Sequence, residues 1–502
     1  MAQRDANVGD YLLSVGGSDD VAVIDRDGTH TYAALRDATD VLVRAVLAWG
    51  LAPGSRIGLL SRNGLFWAAA YLAILRAGHV AVPFATTLTS DDVLRKARFV
   101  DCSSFLIDVP SGPSVAPVVR AAARLLDASA LRSSPPGERP EAEPVDPEDD
   151  AVLMFTSGTT SAPRAVRVSH RNIAANTDSI IQYLGLTRSD RMAVVLPFSY
   201  CYGASLLHTH LRAGASVSIC DTFAFPETVI DTILRDACTG IAGVPSSYQL
   251  LLRASSFATS PLPSLRHMQQ AGGRLPPAQV DLVAASQPTA RLYVMYGATE
   301  ATSRMSFLPP ELIGTRRGSI GRGIPGVTLS VVDDDGLEVR TGETGEIFAR
   351  GASITKGYWR DPEGTADRFT GGGLRTGDIG YVDADGFIYI VDRTADFIKS
   401  WGIRVSSHEI EDAVIGLAGV DGAAAVGRPD PAAGESIVVF YTTGARDCVT
   451  PEEVLAHCRS TLAKHQVPHE AHLLSHLPLN SNGKVVKAEL KQLAINSAPS
   501  GS

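Results

Sequence analysis

The 502-residue chain has little cysteine, few aromatic residues and modest charge, and each shortage excludes something. Six cysteines (Cys102, Cys201, Cys220, Cys238, Cys448 and Cys458) contain no C-x-x-C pair and no zinc-like spacing with histidine. A disulfide scaffold and a structural zinc site are therefore set aside, and a reducing, cytoplasmic setting is expected. Lys plus Arg number 45 against 54 Asp plus Glu, a formal charge of -9 with no basic block, which argues against a surface built for nucleic acid or anionic lipid. The longest apolar run, Leu65 to Leu75 between Arg62 and Arg76, falls short of the roughly 20 residues of a membrane span and reads as a buried helix. The opening MAQRDANVGDYLLSV scatters charge where a secretory signal would be apolar, so it reads as mature protein.

What remains, at 45% hydrophobic residues, is ordinary globular composition with enough length for two to four domains or subdomains. Short β-branched runs (RIGLL near Ile57, HVAVPF near Val80, AVLMF near Leu153, MAVVLPF near Val194, SVSIC near Val217) alternate with helical patterns, which predicts layered α/β architecture. TYAALRDATDVLVRAVLAWG spaces Leu35, Leu42, Val43, Val46 and Leu47 as a helix stopped near Gly50. Residues 133–150, rich in Pro and Glu, read as an exposed connector, and NSAPSGS as a frayed tail. Over about 315–394 the texture turns to short strands, with DADG a hairpin turn. The expected division is a large domain over 1–394 and a small mobile α+β domain over 395–502, with HEIEDAVIGLAGV a helix and GESIVVFYTTG a strand.

The strand AVLMF runs into TSGTTSAPRAVRVSH. Hydroxyl side chains and Gly158 allow N–H and O–H donors to surround an anion, and Arg164 adds fixed positive charge, so the loop suits a phosphate; a Ser/Thr-rich surface turn is the alternative. It is not a Walker loop, because no G-K-[ST] follows.

This loop resembles the phosphate loop of the acyl-adenylate-forming superfamily, which includes acyl-CoA synthetases, luciferases and nonribosomal-peptide adenylation domains. Further motifs agree in order: YGATEAT with Y-G-x-T-E, RTGDIGYVDADGFIYIVDR with the T-G-D segment and the strand to the D-R hinge, DRTADFIKSWGIRVSSHEIE with the hinge run, and LPLNSNGKVVK with the closing G-K motif. With TYAALRD and AGHVAVPF, the resemblance covers essentially the whole chain. It implies an AMP-forming ligase that adenylates a carboxylic acid with ATP and Mg²⁺, releases pyrophosphate, and passes the acyl group to CoA or to the thiol of a separate carrier protein.

The resemblance also implies roles. Lys484 would bridge the attacking oxygen and the α-phosphate, Glu300 would hold Mg²⁺, and Thr299 would touch the α-phosphate. Thr156, Ser157, Gly158, Thr159, Thr160 and Arg164 would hold the outer phosphates. Asp378 would accept from both ribose hydroxyls with Arg393 in support, Tyr296 would stack on adenine beside Gly297, and Gly272 and Gly273 would let the backbone approach closely. Arg404 would reach ATP phosphates; Trp401 and Gly402 would line a thiol tunnel; Ala395 would be the hinge. The acid pocket would draw on Tyr200, Cys201, Gly203, Ser205, Val244, Ala271, Ala298 and Thr302. These small or aromatic residues suit an aryl or medium acyl acid, with no acid in view to pair with an ammonium group.

The phosphate loop departs from the family pattern T-S-G-T-T-G-x-P-K-G at Ser161, Arg164 and Ala165, and the two lost glycines are expected to stiffen it. Two further activities fit the motifs: adenylation of nitrite followed by transfer to an aromatic amine, and silent ATP binding without turnover.

Overall fold

The computed structural model describes residues 7–109, 115–133, 138–156, 163–220, 222–444, 449–480 and 482–497. Ser157, Gly158, Thr159, Thr160 and Ser161 of the phosphate loop, Cys448 and the last five residues lie outside them.

The architecture is mixed α/β with three sheets among the described residues. The six-stranded sheet runs in the order 124–127, 104–108, 56–61, 80–83, 150–155, 165–169, all parallel except the antiparallel last pair. Their apolar residues face both ways, as buried parallel strands require. Leu65–Arg76, the expected buried helix, packs almost entirely within the largest core cluster. Truncating Leu72 there would leave a cavity costing about 2–5 kcal/mol. No helix among the described residues is long and apolar enough to cross a membrane.

A second sheet carries parallel strands Ser216–Ile219, Arg191–Val194, Gly240–Gly243, His267–Gln270 and Arg291–Tyr296 side by side. The strand-rich region does not stand apart. Ser306–Leu308 and Ser319–Gly323 join it antiparallel to this sheet, so a single 14-stranded sheet extends to Ile388–Arg393, Gly373–Val382, Thr344–Gly351 and Val327–Val332. Gly386, at φ +80°, turns the hairpin that DADG predicts.

The last sheet is separate: Ile403–Val405, Ile398–Ser400, Gly434–Thr443 and Val420–Asp430, with Glu470–Leu473 parallel to Gly434–Thr443. The helix expected over HEIEDAVIGLAGV is Ser407–Ile415. Asp392, the fully buried Asp of the D-R pair, anchors its start by accepting from Ser407 N (2.6 Å) and Ser407 Oγ (2.8 Å). The 138–149 connector is largely exposed yet tied down, because Glu143 N donates to Arg76 O (2.8 Å) and Arg76 Nη2 to Pro140 O (2.7 Å).

Candidate active site

The residues that follow the carboxyl ends of neighbouring parallel strands converge on one cleft, the position where open α/β sheets bind ligands. Pro197–Gly203 follows Arg191–Val194, Val244 follows Gly240–Gly243, Ala271–Gly273 follows His267–Gln270, and Gly297–Thr302 follows Arg291–Tyr296. Glycines sit where backbone passes too close for a side chain. A Cβ on Gly297 would lie 1.8 Å from Ser303 O, and one on Gly203 2.1 Å from Pro197 O. Gly272, at φ +83°, has Val244 and the Tyr200 hydroxyl within 3 Å of where a Cβ would be. Ala271 is buried beside it, its N–H donating to Gly243 O (3.3 Å).

Tyr296, Asp378 and Arg393 form one unit. The Tyr296 hydroxyl donates to Asp378 Oδ2 (2.5 Å), Arg393 Nε donates to Oδ1 (3.1 Å), and Asp378 and Arg393 face each other across adjacent strands. The Asp378 carboxylate raises the Arg393 pKa, while burial, with Asp378 behind it, lifts the Tyr296 phenol far above its ordinary value. The carboxylate is thus held rigidly by donors on both oxygens, with its remaining lone pairs available to paired hydroxyl donors such as those of a sugar.

Glu300 stands in the short 3₁₀ turn Thr299–Ala301. Its Oε1 accepts from the Tyr358 hydroxyl (2.8 Å), a partner that sequence reasoning missed because it lies 58 positions further along the chain. Arg164 lies over the Tyr358 ring at 4.7 Å and pairs with Asp361 at 3.4 Å. One carboxylate braced by a phenol, beside an arginine, leaves a hard oxygen donor for a Mg²⁺ ion whose other ligands are phosphate and water, so the residues fit that cation. Thr302 adopts φ +68°, unusual for a β-branched residue, and its hydroxyl donates to Ser353 O (2.7 Å). Ala298, just before the turn, accepts from Ala301 N (3.1 Å).

From the opposite side the C-terminal domain delivers Lys484. A tight turn holds it: Lys484 N donates to Asn480 Oδ1 (3.1 Å), Asn480 N to Lys484 O (2.9 Å), and Gly483 sits at φ +75°. The turn docks on the body where Ser246 Oγ donates to Gly483 O (3.0 Å) and Val244 abuts Gly483. Lys484 Nζ then lies 5.9 Å from the Tyr200 ring centroid. Burial, reinforced by the nearby Arg393 charge, lowers the Lys484 pKa, against the opposing pull of Cys201, Asp378 and Glu300. Cys201 Sγ is 3.4 Å from Thr299 Oγ1, and burial raises its thiol pKa.

Not every expected residue joins this cleft. Trp401 (63% exposed) and Gly402 form the turn of the 398–405 hairpin, and nothing lies within 4 Å of a Cβ placed on Gly402. Arg404 is exposed and stacks on Phe397 at 4.7 Å. Ala395, the expected hinge, lies between strands Ile388–Arg393 and Ile398–Ser400, its carbonyl accepting from Lys491 Nζ at 3.5 Å. Ala165 opens strand Ala165–Ser169, buried and paired with Phe155 and without positive φ, while Ser161, the other position of the expected stiffening, lies outside the described residues.

A small cavity, lined by Tyr71, Cys201, Ser205, His208 and Thr302 among others, has room for roughly one water molecule. Tyr202 donates to Gln269 O (2.9 Å), Arg304 Nη2 donates to Gln269 Oε1 (3.0 Å), and Ser303 Oγ donates to Ser205 Oγ (3.2 Å).

Comparison with known proteins agrees over nearly the whole length. Residues 15–359 match the model described as AMP-binding enzyme, and 409–484 that of the AMP-binding enzyme C-terminal domain. The chain is similar to a feruloyl-CoA synthase of Amycolatopsis sp, 30% identical over 467 residues, 92% of this chain and 93% of the relative. Among solved structures it is similar to ATP-bound MatB from Rhodopseudomonas palustris (25% identity, TM-score 0.89, 97% and 98% of the chains covered). It is likewise similar to the o-succinylbenzoate CoA synthetase MenE of Bacillus subtilis in complex with its acyl-adenylate (26% identity, TM-score 0.86, 97% and 98% covered).

Proposed function

The chain belongs to the AMP-binding enzyme family, and from that premise we propose an ATP-dependent, AMP-forming ligase that activates an aryl or medium-chain carboxylic acid and transfers it to CoA. The observation that carries this reading is the meeting of Lys484, the Tyr296–Asp378–Arg393 unit and the Tyr358-braced Glu300 around one cleft at the strand ends.

In the first half-reaction a carboxylate oxygen attacks the α-phosphorus, the bond to the bridging oxygen breaks, and pyrophosphate leaves with the electron pair. Two anions must approach, and Lys484 is the cation that offsets their repulsion and gains most as charge builds at phosphorus. Asp378 with Arg393 fixes the ribose, Tyr296 flanks the base, and Thr299 with the 156–160 hydroxyls and Arg164 surrounds the phosphates. Mg²⁺, when held by Glu300, supplies charge neutralisation on the phosphates. In the second half-reaction the CoA sulfur attacks the acyl carbon, the carbon–oxygen bond to AMP breaks, and the thiol proton passes to solvent. CoA is preferred over a carrier protein because the named relatives make CoA thioesters.

The test is pyrophosphate and AMP release by the full chain with ATP and Mg²⁺ across aryl, fatty and amino acids, with nitrite plus an aromatic amine in parallel. Release with one acid class, followed by thioester on adding CoA, is expected. Release with nitrite and amine alone would move the chain to N–N bond chemistry, and ATP binding without release in any arm would make it a silent binder.

A further inference from the structure

One side chain of the cleft is fixed far more firmly than a bystander to Glu300 would need to be. Tyr358 is 4% exposed, and the segment around it is tied down on several sides. Towards the strand that leaves the phosphate loop, Arg167 N donates to Gly357 O (3.0 Å) and Trp359 N to Ala165 O (2.8 Å), so Tyr358 stands opposite Val166 in an antiparallel bridge. Towards the Glu300 turn, Thr355 N donates to Glu300 O (2.9 Å) and Thr302 Oγ1 to Ser353 O (2.7 Å). On the far side Tyr358 N donates to Thr365 Oγ1 (3.0 Å), and Phe369 meets the ring edge-on with centroids 5.6 Å apart. A ring packed in this way has one position, and its polar partners take theirs from it.

Ring and hydroxyl act separately. The ring carries the Arg164 guanidinium at 4.7 Å, whose Nε also pairs with Asp361 at 3.4 Å. The hydroxyl donates to Glu300 Oε1 at 2.8 Å. A buried phenol needs an acceptor, and this carboxylate oxygen is the one it has. Among the described residues no hydrogen bond or ion pair reaches the other oxygen, Oε2.

That asymmetry discriminates between cations. Mg²⁺ demands near-octahedral geometry and is bound through one or two carboxylates together with phosphate and water, whereas the larger Ca²⁺ accepts about six to eight oxygens and takes both oxygens of one carboxylate readily. A glutamate with one oxygen already bonded to a phenol suits the first ion and hinders the second.

We propose that Tyr358 is a positioning residue that sets the cation preference of the nucleotide site: its hydroxyl occupies Glu300 Oε1, so the carboxylate meets a cation through Oε2 alone and favours Mg²⁺ over Ca²⁺. This rests on the reading above that places Mg²⁺ at Glu300. Hydrogen bonds that orient a metal-binding carboxylate are worth about 10–100-fold in metal affinity, which sets the size of the effect.

The experiment is calorimetry on the full chain without any acid substrate. ATP affinity is measured in EDTA, in saturating Mg²⁺ and in saturating Ca²⁺, for wild type, Tyr358→Phe, Glu300→Gln and the double variant. In wild type, Mg²⁺ is expected to tighten ATP more than Ca²⁺ does. Tyr358→Phe keeps the ring and loses only the hydroxyl, so the Mg²⁺ enhancement should fall about tenfold while that of Ca²⁺ holds or rises. Affinity in EDTA should stay within about twofold, because Arg164 keeps its aromatic seat. In the Glu300→Gln background Tyr358→Phe should change the cation response no further, since the carboxylate it governs has gone. A wild-type Mg²⁺ preference that Tyr358→Phe leaves intact, or a cation effect of Tyr358→Phe that persists beside Glu300→Gln, overturns the proposal and leaves the ligase reading standing. Failure of that reading looks different: wild type binds no ATP, or binds it equally with and without Mg²⁺, and the proposal falls with it.

Discussion

The two walls of the cleft are held in place by different means. The wall formed by residues 196–203, 244, 271–273 and 297–304 grows from a continuous sheet, and its backbone is packed so closely that Gly203 and Gly297 have carbonyl oxygens where a Cβ would go. The wall carrying Lys484 lies on the part of the chain built around a separate sheet and meets the body through side chains: Ser246 to Gly483, Arg274 to Asp412 through both terminal guanidinium nitrogens, and Gln279 Nε2 to Asp421 O (2.7 Å). Close-packed walls have one arrangement, whereas a seam of a few polar contacts can be exchanged for another at small cost. The close-packed wall would suit the positioning of nucleotide and acid, and the polar seam would suit the lysine that the proposed mechanism uses in only one of two half-reactions.

Removing the cation from the wall that carries Lys484 should have the largest effect. Lys484→Ala is expected to slow acyl-adenylate formation by about 10²–10³-fold or more, while thioester formation from supplied acyl-adenylate stays within a few-fold. Rapid-quench assay of each half-reaction checks this, and equal loss in both would erase the distinction between the walls.

Disturbing the fixed wall should instead cost the fold. Gly297→Ala puts a methyl 1.8 Å from Ser303 O, so about 1–3 kcal/mol of stability and several degrees of Tm should be lost, with both half-reactions falling together. Unchanged Tm would mean that this wall yields more easily than its contacts imply.

Cutting the seam is a milder intervention. Burial lowers the Arg274 pKa, but the Asp412 carboxylate outweighs it and raises the value overall. In a double-mutant cycle, Arg274→Ala and Asp412→Ala should each slow adenylation several-fold, with a coupling of about 1 kcal/mol, and leave the thioester step alone. Zero coupling would remove this pair from the docking contacts.

The smallest effect lies in pH. Burial, then the Arg393 charge, lowers the Lys484 pKa. The protonated form is the active one, so adenylation should decline as pH rises through a value below the ordinary lysine range, and Lys484→Arg should retain its own lower activity to higher pH. The stability linkage has the opposite sense: between the lowered folded pKa and the unfolded one the unfolded chain binds more protons at this site, so its contribution to stability rises with pH. A wild-type profile flat to pH 10.5 would contradict the burial of the ammonium.

Much of this was legible before any coordinates. The turn at Asp383–Gly386, the helix Ser407–Ile415 and the buried helix Leu65–Arg76 follow from turn chemistry and periodicity, which act within a few residues. Asp378, Arg393, Glu300 and Lys484 could be singled out from ordered motifs. Tyr358 could not, because its bond to Glu300 depends on how a loop returns to the cleft, and the joining of the strand-rich region to the parallel sheet depends on two short strands, 306–308 and 319–323, with little pattern of their own.

The sequence by itself determined the element types, the family motifs and the residue kinds that adenylation needs, since these rest on local propensity and on the order of short segments. Only the tertiary structure decided that Asp378 is held by Tyr296 and Arg393 at once, that Lys484 rests against the body through Ser246, and that the buried Arg76 is met by Asp10 and Asp40. Those outcomes depend on which groups meet across 15 to 237 residues of chain, and a charge bears no mark in the sequence of whether folding will bring it a partner.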